Sequence, residues 1–312
     1  MYSTMLPIPA RPAGWAPATS KQVHKNTASE MLLTEWRQSG ADDFVVRAQW
    51  PQDHGFYRTR HNLLDPLLLA ESVRQCVPLL SHAAYDVPFG HQQSWSHFSY
   101  SLTPAALAVG STPPELELQV ACRDIVRRSQ RLASLNMEVD VVRDGMHVGT
   151  CLTRFANHAP ALYKRLRGPY GDLAEATARA LPLPPPTAPT QVARESFDDV
   201  VLSPTASPRR SQLRIDLKHP VLFDHPVDHA PGMLLLEAAR QSAHAAVHPA
   251  PVCVTGMDVV FARYAELDVP CWIHTDLLPM AGPDRHRVLV TAVQNDICVF
   301  SGVITLQRLN LN

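Results

Sequence analysis

Two nine-residue stretches, Leu67-Leu68-Leu69-Ala70-Glu71-Ser72-Val73-Arg74-Gln75 and Met233-Leu234-Leu235-Leu236-Glu237-Ala238-Ala239-Arg240-Gln241, lie 166 residues apart and share five of nine positions. The shared positions are two leucines, Glu, Arg and Gln. Toward the N-terminus the same relation reappears at an offset of 169. There Val23-His24-Lys25 matches Val192-Ala193-Arg194, Met31-Leu32-Leu33-Thr34 matches Val200-Val201-Leu202-Ser203, and Trp50-Pro51 falls on His219-Pro220. Ordered matches whose offset drifts by only three residues argue for two copies of one fold.

Each copy carries the same order of elements. A short aliphatic piece is followed by an alternating one, Phe44–Trp50 or Leu213–Leu217, and both read as strands. A Pro-punctuated loop then leads into Leu67–Leu80 or Met233–Val247, apolar on nearly every side for three or four turns, as a buried central helix must be. Pro78 is expected to kink or end the first helix. Strand-like runs follow: Leu116–Cys122, Met137–Val142 and His147–Arg154 in the first copy, and Val252–Val260, Trp272–Leu278, Arg287–Ala292 and Ile297–Leu306 in the second. One long helix wrapped by antiparallel strands is the hotdog arrangement, so the expected class is α+β, a double hotdog.

The expected boundaries are a flexible Pro/Ala-rich arm over 1–22, an N-terminal hotdog over 23–180, a linker over 181–190 and a C-terminal hotdog over 191–312. The linker, Leu181 to Thr190, reads LPLPPPTAPT, a composition that favours extended polyproline geometry. The chain is 46% hydrophobic and 18% charged with a formal net charge of −1, which excludes disorder and gives no electrostatic reason to expect nucleic acid or an anionic membrane. No apolar run is long enough to span a bilayer. Six scattered cysteines suggest neither a disulfide framework nor a zinc knuckle, and the N-terminus lacks the basic start and apolar core of a secretory signal, so a cytoplasmic setting is expected.

Glu71 with Arg74, and Glu237 with Arg240, stand at i and i+3 and therefore share a helix face. A charged pair on so apolar a helix is costly unless the two groups pair internally or line a polar pocket. Gln75 and Gln241, repeated with them, favour the pocket over a plain structural ion pair. Ahead of the second helix, His225, His229 and the Pro231-Gly232-Met233 entry lie in one loop, and the helix start leaves backbone N–H groups free for an incoming oxygen. His54 and Tyr57 lie in the corresponding loop of the first copy. Gln75, Gln241, His225, His229, Gly232, Met233, His54 and Tyr57 are accordingly the expected substrate contacts. Prolines interrupt the His225/His229 spacing and no third ligand is apparent, so no metal and no cofactor are expected. No Ser or Cys stands in a nucleophile signature.

Several motifs together resemble the A-factor biosynthesis (AfsA-type) family of actinomycetes: His24-Lys25, Ala48-Gln49-Trp50-Pro51, Asp65-Pro66, Glu71 to Gln75, Tyr85-Asp86-Val87-Pro88 and Asp224 to Met233. The likeness runs from about Val23 to the C-terminus. It implies a tandem hotdog enzyme that makes signalling-molecule precursors of the γ-butyrolactone, butenolide or furan type. The implied reaction moves a β-ketoacyl group from acyl carrier protein to dihydroxyacetone phosphate, giving a phosphorylated ester that cyclises. The family's acidic and basic helix positions fall on Glu71, Glu237 and Arg240, and the internal repeat adds Arg74.

In that scheme Glu237 or Glu71 acts as general base, a helix start stabilises the oxyanion, and Arg240 or Arg74 grips the phosphate. Phe223 stands where a simple hotdog dehydratase would carry its His, which weighs against dehydration. The competing readings are a hotdog thioesterase or dehydratase and a non-catalytic acyl-ligand sensor. One or both copies active, and a single chain or a homodimer, are all compatible with the sequence.

Overall fold

The computed structural model describes residues 14–128 and 130–310. The expectation of a flexible arm over residues 1–13 lies outside them. The first half contains β1 (Ala16–Pro17), β2 (Leu33–Gln38), β3 (Asp43–Gln49), helix α1 (Leu67–Ala83), β4 (Gln92–Leu102), β5 (Glu115–Arg128), β6 (Arg131–Arg143) and β7 (Met146–His158). Helices α2 (Pro160–Arg167) and α3 (Leu173–Ala178) follow. The second half contains β8 (Leu202–Pro204), β9 (Arg210–Leu213), α4 (Gly232–Val247), β10 (Val252–Phe261), β11 (Trp272–Leu278), β12 (Arg285–Gln294) and β13 (Ile297–Arg308).

All strands join one antiparallel sheet in the order β1-β2-β3-β5-β6-β7-β4-β10-β13-β12-β11-β9-β8. From the β4–β10 junction outward the two wings mirror each other: β7 answers β13, β6 answers β12, β5 answers β11, β3 answers β9 and β2 answers β8. In each wing the helix enters between the same two strands. The repeat seen in the sequence is therefore a repeat of topology, two hotdogs fused along β4 and β10, whose register runs from Gly256 against Ser101 to Val260 against His97.

Every residue of α1 except Arg74 and Ala83 is buried, as an all-round apolar helix requires. Met233 to Ala243 of α4 are likewise buried, and its last turn emerges. Pro78 lies inside α1, which continues to Ala83; the missing N–H removes only the helical bond that would reach the Arg74 carbonyl. Gly149 on β7 and Gly302 on β13 let the flanking strands close on the central pair, since a Cβ at Gly149 would stand 2.5 Å from the Ser101 carbonyl oxygen and one at Gly302 2.7 Å from that of Asp258.

Five features depart from expectation, the first being that the strand expected over Leu213–Leu217 lies earlier, as β9 at Arg210–Leu213. Strand β4, the junction strand, is absent from the expected set because its Ser- and Gln-rich composition hides a period-two pattern in which Phe98, Tyr100 and Leu102 face the core. Residues 16–17, inside the expected arm, pair with β2, and the neighbouring Trp15 ring lies 3.9 Å from the Arg47 guanidinium carbon. Helix α2, on the first-half side of the expected boundary, packs on the second half: Arg167 pairs with Asp228 at 3.1 Å and with Glu266 at 2.6 Å. The Pro-rich 181–190 segment also lies along the second half, with Leu181 N donating to Leu267 O and Thr187 N to Leu202 O. Among the described residues no helix is long and apolar enough to cross a membrane.

Candidate active site

In both helices the Glu, Arg and Gln of the repeat turn inward as one cluster. Glu71 receives both ends of the Arg74 fork, Nε to Oε2 and Nη2 to Oε1, each at 2.8 Å. Gln75 Nε2 donates to Glu71 Oε1 and to the Glu30 carbonyl, both at 2.8 Å, while its own oxygen accepts from Leu32 N at 2.9 Å. Lys25 Nζ completes the ring 3.1 Å from Glu71 Oε1.

The second cluster repeats this bond for bond. Arg240 donates Nε and Nη2 to Glu237 at 2.8 Å each, Gln241 donates to Glu237 and to the Asp199 carbonyl, and Val201 N donates to Gln241 Oε1. Arg194, aligned with Lys25 by the repeat, donates Nε to Glu237 at 2.8 Å. Arg194 also donates Nη1 to the Phe56 carbonyl at 2.5 Å, and its Nη2 is buried without a partner.

Burial alone would raise both carboxyls. Arg74 and Lys25 outweigh it at Glu71, and Arg194 and Arg240 at Glu237, so each is held from the ordinary 4.5 down to about 2. Glu237 is fully inaccessible and its oxygens are filled by guanidinium and amide donors. Such a group accepts a proton poorly at neutral pH, and its chemical effect is to fix the arginines.

The clusters differ in access. The Arg74 side chain is 22% exposed, whereas that of Arg240 is 7% exposed and lies 3.9 Å from Asp65, a residue of the first half. Asp65 Oδ1 also accepts from Leu67 N at 2.9 Å and so caps the start of α1. In return the second half reaches over the first cluster, because Asp224 accepts from Asn26 N at 2.9 Å and Thr27 N at 3.2 Å, which brings His225 there.

The other expected contacts scatter. His54 Nδ1 accepts from Phe56 N and Tyr57 N at 3.0 Å, and its Nε2 lies 3.3 Å from Glu30 Oε2, so it shapes its loop. His219 does the same for Val221 N and Leu222 N, which makes His54 its structural counterpart; the expected match of His219 with Trp50 is four residues out of register. Tyr57 is buried within the electrostatic reach of Glu71 and Arg74; burial first, then Glu71, drives its phenol well above the ordinary 10. His229 belongs elsewhere, 2.6 Å from Asp228 and packed on Tyr264 in the network that anchors α2. Gly232 and Met233 open α4 with no side-chain cap, and Gly232 packs closely, since a Cβ there would stand 3.0 Å from the Trp95 ring. His225 and His229 thus serve different networks and share no ligand geometry.

Lys25, Arg194, Asp65 and Asp224 are the cluster members that residue-type reasoning passed over. The offset of 169 had already laid Lys25 on Arg194.

A family model described as the A-factor biosynthesis hotdog domain (AfsA) matches residues 11–157 and again 176–308. Among curated relatives, a 2-oxo-3-(phosphooxy)propyl 3-oxoalkanoate synthase of Streptomyces virginiae is 45% identical over 90% of this chain and 95% of its own length. A protein of the same name from Streptomyces griseus is 36% identical over 94% of this chain and 96% of its own. Among solved structures, a chain assigned as an oleoyl thioesterase from Lactobacillus plantarum superposes with TM-score 0.54 at 11% identity, covering 88% of this chain and 99% of that one. The 12:0-ACP thioesterase from Umbellularia californica gives TM-score 0.51 at 8% identity over 85% of this chain and 94% of its own. At such identities these two speak for the fold alone.

Proposed function

The chain belongs to the A-factor biosynthesis (AfsA) hotdog family, and from that premise we propose that it is an acyltransferase joining a β-ketoacyl thioester to dihydroxyacetone phosphate. The observation that carries the reading is the name shared by relatives that match along nearly the whole chain. A 2-oxo-3-(phosphooxy)propyl 3-oxoalkanoate is an ester, and disconnecting it leaves a 3-oxoacyl group and the free hydroxyl of dihydroxyacetone phosphate. The acyl donor in this reading is β-ketoacyl-acyl carrier protein.

The triose hydroxyl oxygen attacks the thioester carbonyl, the carbon–sulfur bond breaks, and the hydroxyl proton ends on the departing thiol. The product holds an acidic CH₂ between two carbonyls, within reach of the triose ketone. Ring closure and loss of water then give a butenolide skeleton, the precursor of butenolide or γ-butyrolactone signals.

Arg74, the more exposed of the two repeated arginines, supplies the positive charge that this chemistry needs, while Arg240 is enclosed in the second cluster. Glu71 and Glu237, held ionised near 2, keep those arginines in place and are positioning residues in this scheme, with Gln75 and Gln241 completing the hold. The two hotdogs are taken as 23–180 and 191–312, joined by 181–190.

The test is product mass. The full chain is incubated with a β-ketoacyl thioester, with and without dihydroxyacetone phosphate. Formation of the phosphorylated ester or its cyclised form only when the triose is present supports the transferase. Free β-keto acid released equally in both mixtures points to a thioesterase, and unchanged substrates retained by the protein point to a sensor.

A further inference from the structure

Arg74 is the one residue of the paired Glu-Arg-Gln clusters with substantial access to solvent, and its surroundings are basic. Its Nε and Nη2 are committed to Glu71, while Nη1 has no partner among the described residues. Beside it stand Lys25, whose ammonium pairs with Glu71 alone among the described residues, and His24. His225, with its side chain 41% exposed, completes the set from the second half.

The acidic groups here are already occupied. Glu71 accepts from Arg74 and Gln75 and pairs with Lys25, and Asp224 accepts from Asn26 N and Thr27 N. Formal charge balances here, Lys25 and Arg74 against Glu71 and Asp224, yet Arg74 still acts on both imidazoles as a repulsive neighbour. Burial, then His82, Arg74 and His225, push the His24 imidazole down to about 4; burial, then Arg74, lowers His225 against the opposing pull of Asp224.

The tautomers can be assigned. The Val87 carbonyl only accepts, so the His82 nitrogen 2.6 Å away, Nδ1, carries the proton. His82 Nε2 is then the acceptor of the 2.8 Å contact and His24 Nε2–H the donor. His24 Nδ1 is left free to take a proton and become a donor. An arriving dianion would convert two neutral imidazoles into donors and relieve the repulsion among them.

Resting on the acyltransfer reading, we propose that this basic seat between the halves, formed by Arg74, Lys25, His24 and His225, receives the phosphate of the triose substrate. The second cluster, where Arg60 and His244 also lie within electrostatic reach of Arg240, is the more enclosed of the two and ties the halves together through Arg194, Arg240 and Asp65. A phosphate could also come from the phosphopantetheine arm of the acyl donor, so the experiment separates the two sources.

The full chain is assayed with a β-ketoacyl N-acetylcysteamine thioester, which carries no phosphate, against dihydroxyacetone phosphate and unphosphorylated dihydroxyacetone. The variants are His225→Asn and His24→Asn, the latter because Asn tolerates the left-handed backbone at His24, φ 54°. Arg74→Gln is avoided because it strands Glu71. Each variant should cut the preference for the phosphorylated triose about tenfold, through its KM, the loss expected of one charge-assisted hydrogen bond. In parallel, inorganic phosphate added to the wild type at about pH 6 should move two imidazole NMR signals toward the protonated position, one of them missing in each variant.

Ester formation with unchanged triose preference in both variants overturns the seat. So does a KM effect seen only when the donor carries phosphopantetheine, which assigns the site to that arm, or the absence of any histidine response to phosphate. If the wild type forms no ester yet phosphate titrates the two histidines, the acyltransfer reading fails and takes the triose assignment with it, while an anion site remains.

Discussion

Replacing Glu237 by Gln tests the central electrostatic claim, because the carboxylate balances two buried guanidinium groups. It accepts Arg240 Nε and Nη2 and Arg194 Nε at 2.8 Å each, and Gln241 as well. An amide turns one acceptor into a donor aimed at N–H groups and leaves Arg194 and Arg240 with only the more distant Asp65 as counter-charge, 3.8 and 3.9 Å away. Removing one partner of a buried pair costs about 3–5 kcal/mol. The carboxyl gives a second route to the figure: held from 4.5 to about 2 on a fully buried group, it contributes about 3 kcal/mol at neutral pH. Set against a usual stability of about 5–15 kcal/mol, that is a large fraction. At about 2–4 °C per kcal/mol for chains of this order, the melting temperature should fall by roughly 6–20 °C. Circular-dichroism melts of the full chain, wild type, Glu237→Gln and Glu71→Gln, make the measurement. Glu71→Gln should cost less, because Arg74 is 22% exposed and can turn toward water. A Glu237→Gln protein melting within about 2 °C of the wild type, or a Glu71→Gln protein that suffers more, would refute the reasoning.

Two further outcomes follow from the same structure. Gly302→Ala should destabilise by about 1–3 kcal/mol, because the new methyl meets the Asp258 carbonyl and the Val259 backbone, which cannot swing aside; urea midpoints check it. Stability should rise with pH from about 2 to 6.5. Glu71, Glu237 and Asp228 have folded values near 2, so their contribution is complete above about 4.5 and is lost as pH falls through 2. His24, near 4, and His244, near 3, bind protons more readily when unfolded, so they oppose folding as pH drops below 6.5. Urea midpoints at pH 7, 5.5, 4 and 3 should decline in that order, and a flat profile would contradict the assignments.

Much of the architecture was legible because its signals are local. Glu-x-x-Arg-Gln puts three polar groups on adjacent turns of an apolar helix, and the repeat copies them; no tertiary knowledge is needed to see that they meet. The partners that close each ring were harder, since Lys25 and Arg194 come from the chain ahead of β2 and β8 and reach the helix only after folding. Their alignment at one offset was the available clue. The exchange of Asp65 and Asp224 between halves left no trace in residue pattern, because it depends on how the wings meet along β4 and β10. Strand β4 itself was obscured by serine and glutamine on its outer face. His225 and His229 looked alike in sequence, yet His225 sits beside Asp224 at the first cluster while His229 packs on Tyr264.

The continuous hydrogen-bonded seam between Gly256–Val260 and His97–Ser101 makes the second hotdog a permanent neighbour of the first. Dilution cannot part the two halves of one chain. In a pair of identical subunits every substitution appears twice. Here a residue can change on one side alone, and several have: Lys25 stands opposite Arg194, Tyr57 opposite Leu222, and Asp65 opposite Pro231. Covalent linkage lets one arginine reach the surface while its repeat partner is enclosed against a carboxylate of the other half.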